Sequence, residues 1–342
     1  MDGVIIDVTG SYRDTVRETV RLFFNKALSS ERLPDPLFSL EDLGEFKQSG
    51  GLNNDWDLSF WIICLLFSFV KTLNTQHIQM MLQEHRSSRQ GNGFDQDQAL
   101  WLLHEEIMSL CDVKDLADFL KSERKPLATL VKSRDRRKNT LVETFYKGDV
   151  GSGNIIKQIF QEIYLGKDLF SSIYGIPPRI YKADGYISRE KPIVRQDFLD
   201  ALLEENILAI ATGRPKIEAD YALKLFDLRK YFSIVLTLDD CIKEEKRILK
   251  KTGQTTSLVK PRPYMLDTIS GSIKNKVCGF YYIGDMPDDM IAASRSKVGF
   301  KGVGFLPPSP DKTILRNNLL NAGADYIIGC FKELFDIIKS EE

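Results

Sequence analysis

The sequence has little histidine and no paired cysteine. Its three histidines, His77, His85 and His104, all fall in one region, which speaks against a histidine-based metal site or catalytic triad. The five cysteines, Cys64, Cys111, Cys241, Cys278 and Cys330, are widely spaced, odd in number and free of any CxxC pair. They read as small buried apolar residues in a reducing compartment, which excludes a disulfide framework or a structural zinc site. No apolar run is long enough to span a bilayer. The longest, Phe60 to Val70, contains Ser68, falls short of the roughly 20 residues a spanning helix needs, and reads as a buried helix. No basic segment leading into an apolar one opens the chain, and no internal repeat is found. With a formal net charge of −1, nothing draws the chain toward nucleic acid or a membrane. These absences point to a soluble cytoplasmic protein, and 342 residues leave room for a sizeable core and two domains.

What is present falls into two parts. After Met1 to Asp7, Thr9 or Ser11 is placed to cap a helix, with Asp14 in capping-box spacing after Ser11. Tyr12, Val16, Val20, Phe23 and Phe24 then share one helical face. From there to about residue 190 the pattern is helical and without convincing strands. Helical spacing runs through 56–71, 74–86, 97–111, 113–122 and 154–170, and Ser87 to Gln96 reads as an exposed loop. Lys121 to Lys138 is rich in Lys and Arg, which fits a solvated helical face or attraction of an anionic substrate. The lack of interleaved aromatics argues against nucleic acid.

Beyond residue 190 strands alternate with helices, the pattern of βαβ units and a parallel sheet. Helices are expected over Gln196–Glu205, Lys216–Phe226 and Asp288–Ser296. Strands are expected over Ile207–Ala211, Ser233–Thr237, Val277–Ile283, Val298–Val303 and Asp325–Ile328, before a terminal helix. The expected fold class is α/β, a Rossmann-like parallel sheet core with an inserted, mostly helical cap domain. Its expected segments are 1–8 for the first core strand, 9–190 for the cap and 191–342 for the core.

Three stretches in this second half carry chemistry. Gly284-Asp285-Met286-Pro287-Asp288-Asp289 follows a strand end, where α/β sheets place their ligands. Its carboxylates suit a hard cation such as Mg²⁺, and equally an acidic helix N-terminus. Thr212-Gly213-Arg214-Pro215 opens a helix with a hydroxyl and free N–H groups, an arrangement suited to phosphate. Lys260 stands in Val-Lys-Pro-Arg-Pro, where prolines hold the flanking backbone extended.

The order Asp2-Gly3-Val4, Thr-Gly-Arg-Pro, Lys-Pro, Gly-Asp-x-x-Asp-Asp resembles the four motifs of the haloacid dehalogenase-like superfamily. The resemblance covers Met1 to about Tyr12 and about 190 to 305. It implies a Mg²⁺-dependent phosphatase acting on a small phosphorylated metabolite through an aspartyl-phosphate, with no nucleic-acid or membrane partner. On it, Asp2 matches the general acid/base and contributes to the metal site, Thr212 the phosphoryl-holding hydroxyl, and Lys260 the charge-neutralising lysine. Asp285 matches the direct Mg²⁺ ligand and Asp289 the acidic residue assisting metal and lysine. Gly213 and Arg214 would line the phosphate pocket. Tyr12 and Arg13, with Asn53, Asn54, Asp55 and Trp56, are candidates for substrate contact, and Trp56 equally for core.

The family pattern is Asp-x-Asp-Gly-Val, and its nucleophile would stand directly ahead of Met1. Three explanations follow: a start assigned too late in an ordinary phosphatase, a non-catalytic phosphate-binding or regulatory module, or Asp7 as nucleophile with Thr9 in the acid/base place.

Overall fold

A computed structural model describes residues 1–28, 32–50, 54–88, 96–132, 139–274, 277–306 and 312–340. The chain divides into two units, Met1–Val8 with Glu190–Glu342, and Thr9–Arg189. It enters the first through a turn in which the Met1 carbonyl accepts from Ile5 N (2.9 Å) and Ile6 N (3.2 Å). Gly3 takes φ +67° there, the left-handed region where a side chain is strained. Strand β1 (Ile6–Asp7) follows.

The second unit begins with a π-helical turn over Thr9–Arg13, continuing into α1 (Asp14–Phe23). The capping box expected at Ser11 and Asp14 is replaced by this turn: Arg13 precedes α1 without a side-chain cap, and Ser11 is buried. The anticipated face of α1 is inside, with Val16, Val20 and Phe23 fully buried and Phe24 nearly so. Next come α2 (Leu40–Gly50) and α3 (Asp55–Leu66), whose start is capped by the Asn54 side chain accepting from Trp56 N at 2.9 Å. From Leu58 to Phe67 the chain is buried except at Trp61, so the longest apolar run is a core helix. A short antiparallel pair, β2 (Lys71–Thr72) with β3 (Cys111–Asp112), brackets α4 (Thr75–Ser88) and α5 (Gln96–Ser109). This pair corrects the strand-free reading of this half; two residues a side are too few to give an alternating pattern.

After β3 come α6 (Lys114–Ser122), α7 (Pro126–Lys132), α8 (Thr140–Thr144) and α9 (Ile155–Tyr174). Asp42 accepts from Leu127 N (2.8 Å) and Ala128 N (3.0 Å), satisfying two first-turn donors of α7. Helix α9 is kinked at Gly166 (φ 73°, ψ 172°). The loop expected at 87–96 and the far end of the basic stretch lie largely outside the described residues, as does Asn53.

The first unit resumes with β4 (Lys191–Pro192), which pairs antiparallel with β1. Then follow α10 (Gln196–Leu203), β5 (Ala209–Ala211), α11 (Lys216–Leu225), β6 (Ile234–Leu236), α12 (Leu238–Thr252) and α13 (Tyr264–Ser272). The chain closes with β7 (Tyr281–Gly284), α14 (Pro287–Arg295), β8 (Lys301–Phe305), α15 (Thr313–Asn321), β9 (Tyr326–Ile328) and α16 (Phe331–Ser340). β5 and β6 pair parallel, as do β7, β8 and β9 in that order. The fold is α/β, with a Rossmann-like core and a large helical insertion.

Two strands begin three or more residues later than expected. β7 starts at Tyr281 and β8 at Lys301, so 277–280 and 298–300 lack ladder partners. Gly299, at φ +71°, breaks the extended run ahead of β8. The core gathers the β-branched residues of these strands with one face of each flanking helix: Ile6, Ile210, Val303 and Ile328 meet Leu199, Leu202, Leu223 and Leu334. Each such side chain contributes roughly 1.5–3 kcal/mol by leaving water.

Candidate active site

Strand β7 ends at Gly284, and the carboxylates begin at once. A methyl on Gly284 would lie 2.3 Å from Asp289 Cβ, so the strand end and the first turn of α14 touch where only glycine fits. That closeness lets Asp289 reach back: its Oδ2 accepts from Met286 N at 3.1 Å and its Oδ1 from Lys260 Nζ at 2.6 Å. Both side chains are largely buried, Lys260 at 15% and Asp289 at 5% exposure. Burial opposes the charge on each. Their mutual attraction overrides it, raising Lys260 well above the usual lysine range and lowering Asp289 below the usual carboxylate range.

Tyr282, on β7, is a third member of this cluster. Its hydroxyl accepts from Lys260 Nζ at 3.2 Å and lies 3.1 Å from Asp289 Oδ1 and 3.2 Å from the Ala211 carbonyl oxygen, either of which can take its single proton. Burial, then the Asp289 charge, push this phenol well above its ordinary pKa. Ala211 ends β5, so Tyr282 ties the lysine to the strand end carrying Thr212.

Thr212 is buried, and its Oγ1 accepts from Arg214 N at 3.2 Å. Gly213 is exposed, and a methyl there would meet nothing within 4 Å. Arg214 is directed inward. Its Nη1 and Nη2 donate to the two carboxylate oxygens of Glu190 at 3.1 and 3.0 Å, and its Nε donates to Asp2 Oδ1 at 2.6 Å. Arg214, expected to line a phosphate pocket, thus has three nitrogens committed to carboxylates.

Asp2 and Asp285 close the circuit. A methyl on Gly3 would lie 2.1 Å from Asp285 Oδ2, so the Asp2–Gly3 backbone and that carboxylate are neighbours. The four sequence segments therefore meet through Gly3 with Asp285, Asp2 with Arg214, Lys260 with Asp289, and Tyr282 with Ala211. Asp7 is exposed in β1, opposite Lys191.

Tyr12 and Arg13 belong to the helical unit. The Tyr12 ring stacks on Tyr164 at 4.3 Å between centroids, Arg13 closes the π-helical turn, and Trp56 lies under Lys157 Nζ at 4.1 Å. Asp55 accepts from Lys47 Nζ at 2.8 Å. A cavity of about 530 Å³ in this unit is lined by α4 and α5, including His77, His85, Glu84 and Glu106.

For a metal, the donor set is carboxylate oxygen. Among the described residues no group of three His, Cys, Asp or Glu side chains is gathered. Mg²⁺ needs no such group, since it retains waters and takes one or two carboxylates with substrate phosphate. Asp285 fits that demand. Asp2 and Asp289 have their side chains engaged by Arg214 and Lys260.

No protein-family model matches the chain, and no curated protein sequence does. Among solved structures, target ZR25 of the Northeast Structural Genomics Consortium is 19% identical, with a TM-score of 0.59, covering 99% of this chain and 97% of that one. The chain shares the fold of that structure. Phosphatase Tt82 from Thermococcus thioreducens is 20% identical over 93% of this chain and 96% of that one, at a TM-score of 0.48. A haloacid dehalogenase-like family hydrolase from Streptococcus pneumoniae is 13% identical over 79% and 93%, at 0.37.

Two residues of this core escaped the sequence reading. Glu190 and Tyr282 carry no motif of their own. The signal for Tyr282 was a polar-tipped aromatic in a strand otherwise suited to burial, whose hydroxyl needs a partner. For Glu190 a single sequence held no signal.

Proposed function

We propose that the chain carries the core of a phosphomonoester hydrolase of the haloacid dehalogenase-like superfamily, acting on a small phosphorylated metabolite. The observation carrying this reading is the Lys260–Asp289 pair, held at 2.6 Å beside the strand end that bears Thr212. A lysine kept cationic in a largely buried site is a means of neutralising phosphate charge. The Thr212 hydroxyl would supply a further donor to a phosphate oxygen.

In this reading Asp2 gives a proton to the leaving oxygen and then takes one from the attacking water. Asp285 would hold Mg²⁺, which when bound supplies charge neutralisation at the phosphoryl oxygens. In an aspartyl-phosphate mechanism the nucleophilic carboxylate would stand two residues ahead of the acid/base Asp2. The unit Thr9–Arg189 would act as the cap that selects substrate and excludes water.

The test is Mg²⁺-dependent hydrolysis of 4-nitrophenyl phosphate by the chain as given and by the chain preceded by an apolar strand ending in aspartate. Turnover in the extended protein, lost on Lys260→Met, is the expected result. Turnover in the chain as given, abolished by Asp7→Asn, would overturn the assignment of Asp2. Saturable binding of inorganic phosphate without turnover in either would replace the hydrolase with a binding module.

A further inference from the structure

We propose that Glu190 is a positioning residue: it fixes the Arg214 guanidinium so that the Nε edge holds the Asp2 carboxylate in place for proton transfer. The inference rests on the hydrolase reading above. Glu190 and Arg214 have side chains 0% and 1% exposed, against 32% for Asp2. Removing a carboxylate and a guanidinium from water costs several kcal/mol per ion, and a buried pair seldom exceeds a well-packed apolar pair in stability. What such a pair supplies is geometry. Both Nη atoms are bonded to Glu190 at 3.0 and 3.1 Å, a two-point contact that sets the plane of the guanidinium. With the plane set, the remaining edge reaches Asp2 Oδ1 at 2.6 Å.

The backbone of the same residue is fixed from two further sides. Arg214 N donates to Thr212 Oγ1 at 3.2 Å, and Arg214 O accepts from Leu238 N at 2.9 Å. One residue therefore joins the hydroxyl assigned to the phosphoryl group and the carboxylate assigned to the leaving oxygen. The charges also suit this role. Glu190 offsets Arg214, so the partner of Asp2 is a neutral ion pair with directed N–H groups, not an isolated cation.

A positioned acid counts most where the leaving group is poor. Alkyl and 4-nitrophenyl phosphates are to be compared as substrates, using the protein carrying the upstream aspartate. Glu190→Gln is expected to lower kcat on the alkyl ester about 100-fold, the low end of a general acid's contribution. On the nitrophenyl ester the loss, read as the rate of the first nitrophenol released, should be less than about threefold, because that leaving group departs without a proton and Asp2 acts on water only in the later step. KM should change little for both. Arg214→Lys keeps the charge without the fork, should give the same selective loss, and serves if Glu190→Gln does not fold. Equal losses on the two esters, or no loss on either, would overturn the inference. Failure of the unsubstituted protein to hydrolyse either ester would instead overturn the hydrolase reading, and the inference with it.

Discussion

At the scale of single residues, the site is built from charges that are costly to bury and are therefore paired. Lys260 with Asp289, and Arg214 with Glu190 and Asp2, use close contacts to offset desolvation. Lys260→Met should destabilise the protein by about 3–5 kcal/mol by stranding Asp289. The double substitution Lys260→Met with Asp289→Leu should recover most of that loss, and urea unfolding of the two variants checks it. Gly3 is constrained twice, by φ +67° and by a methyl position 2.1 Å from Asp285 Oδ2. Gly3→Ala should cost about 1–2 kcal/mol for the left-handed backbone alone, and more for displacing Asp285. A fall in Tm without loss of helical circular dichroism is the expected reading.

At the scale of elements, buried polar groups hold helices to one another. Helix α1 carries Phe23, whose ring lies 4.8 Å from His104 on α5, with Phe145 5.0 Å from the same imidazole. Burial pushes the His104 imidazole down to about 4, against a smaller opposing contribution from the Phe23 backbone. A lowered folded pKa means that the unfolded chain takes up the proton first as pH falls. Stability from neutral His104 is therefore complete above pH 6.5 and is lost between 6.5 and about 4. Between pH 7 and 4.5 this group should account for about 2–3 kcal/mol, at 1.4 kcal/mol per pH unit. His104→Phe should remove that part of the pH dependence, as read by urea midpoints at the two pH values.

The kink in α9 has an equally local cause. A methyl on Gly166 would lie 2.2 Å from Gly185 N, and Lys167 N donates to Ala183 O at 3.1 Å. Just ahead of the kink, Glu162 accepts from the backbone N–H groups of Arg179, Ile180 and Tyr181 at 2.8–3.1 Å. Gly166→Ala should separate these backbones and cost more than about 2 kcal/mol, the range for strain combined with a steric clash. Thermal unfolding measures it.

At the scale of the whole molecule, the chain leaves the α/β unit at Val8 and returns at Glu190. The two ends of the inserted unit lie close together: a methyl on Gly10 would sit 4.0 Å from Arg189 Cβ. Its core is its own, with α1, α3 and α9 packed together, and near ends favour independent folding of an inserted segment. Residues 9–189 expressed alone should therefore unfold cooperatively as a helical protein. A featureless thermal transition would refute this.

Much of this was fixed locally and so could be read from the chain. The 3.6-residue spacing marked α1 and α3, because an amphipathic or wholly apolar helix carries its burial pattern in its own residues. The alternation of strands and helices after 190 announced the parallel pairs. Four short segments in a fixed order singled out Asp2, Thr212, Lys260 and Asp285 as candidates, each at a strand end or a loop where side chains can converge. What the residues around those segments do was decided elsewhere. Whether Arg214 faces phosphate or a carboxylate depends on Glu190, 24 residues away. The pairing of Lys260 with Asp289 depends on Gly284, whose missing side chain lets α14 approach β7. Composition and periodicity set which faces are buried; which charges meet inside is a matter of long-range contact, and only the folded chain brings those partners within hydrogen-bonding distance.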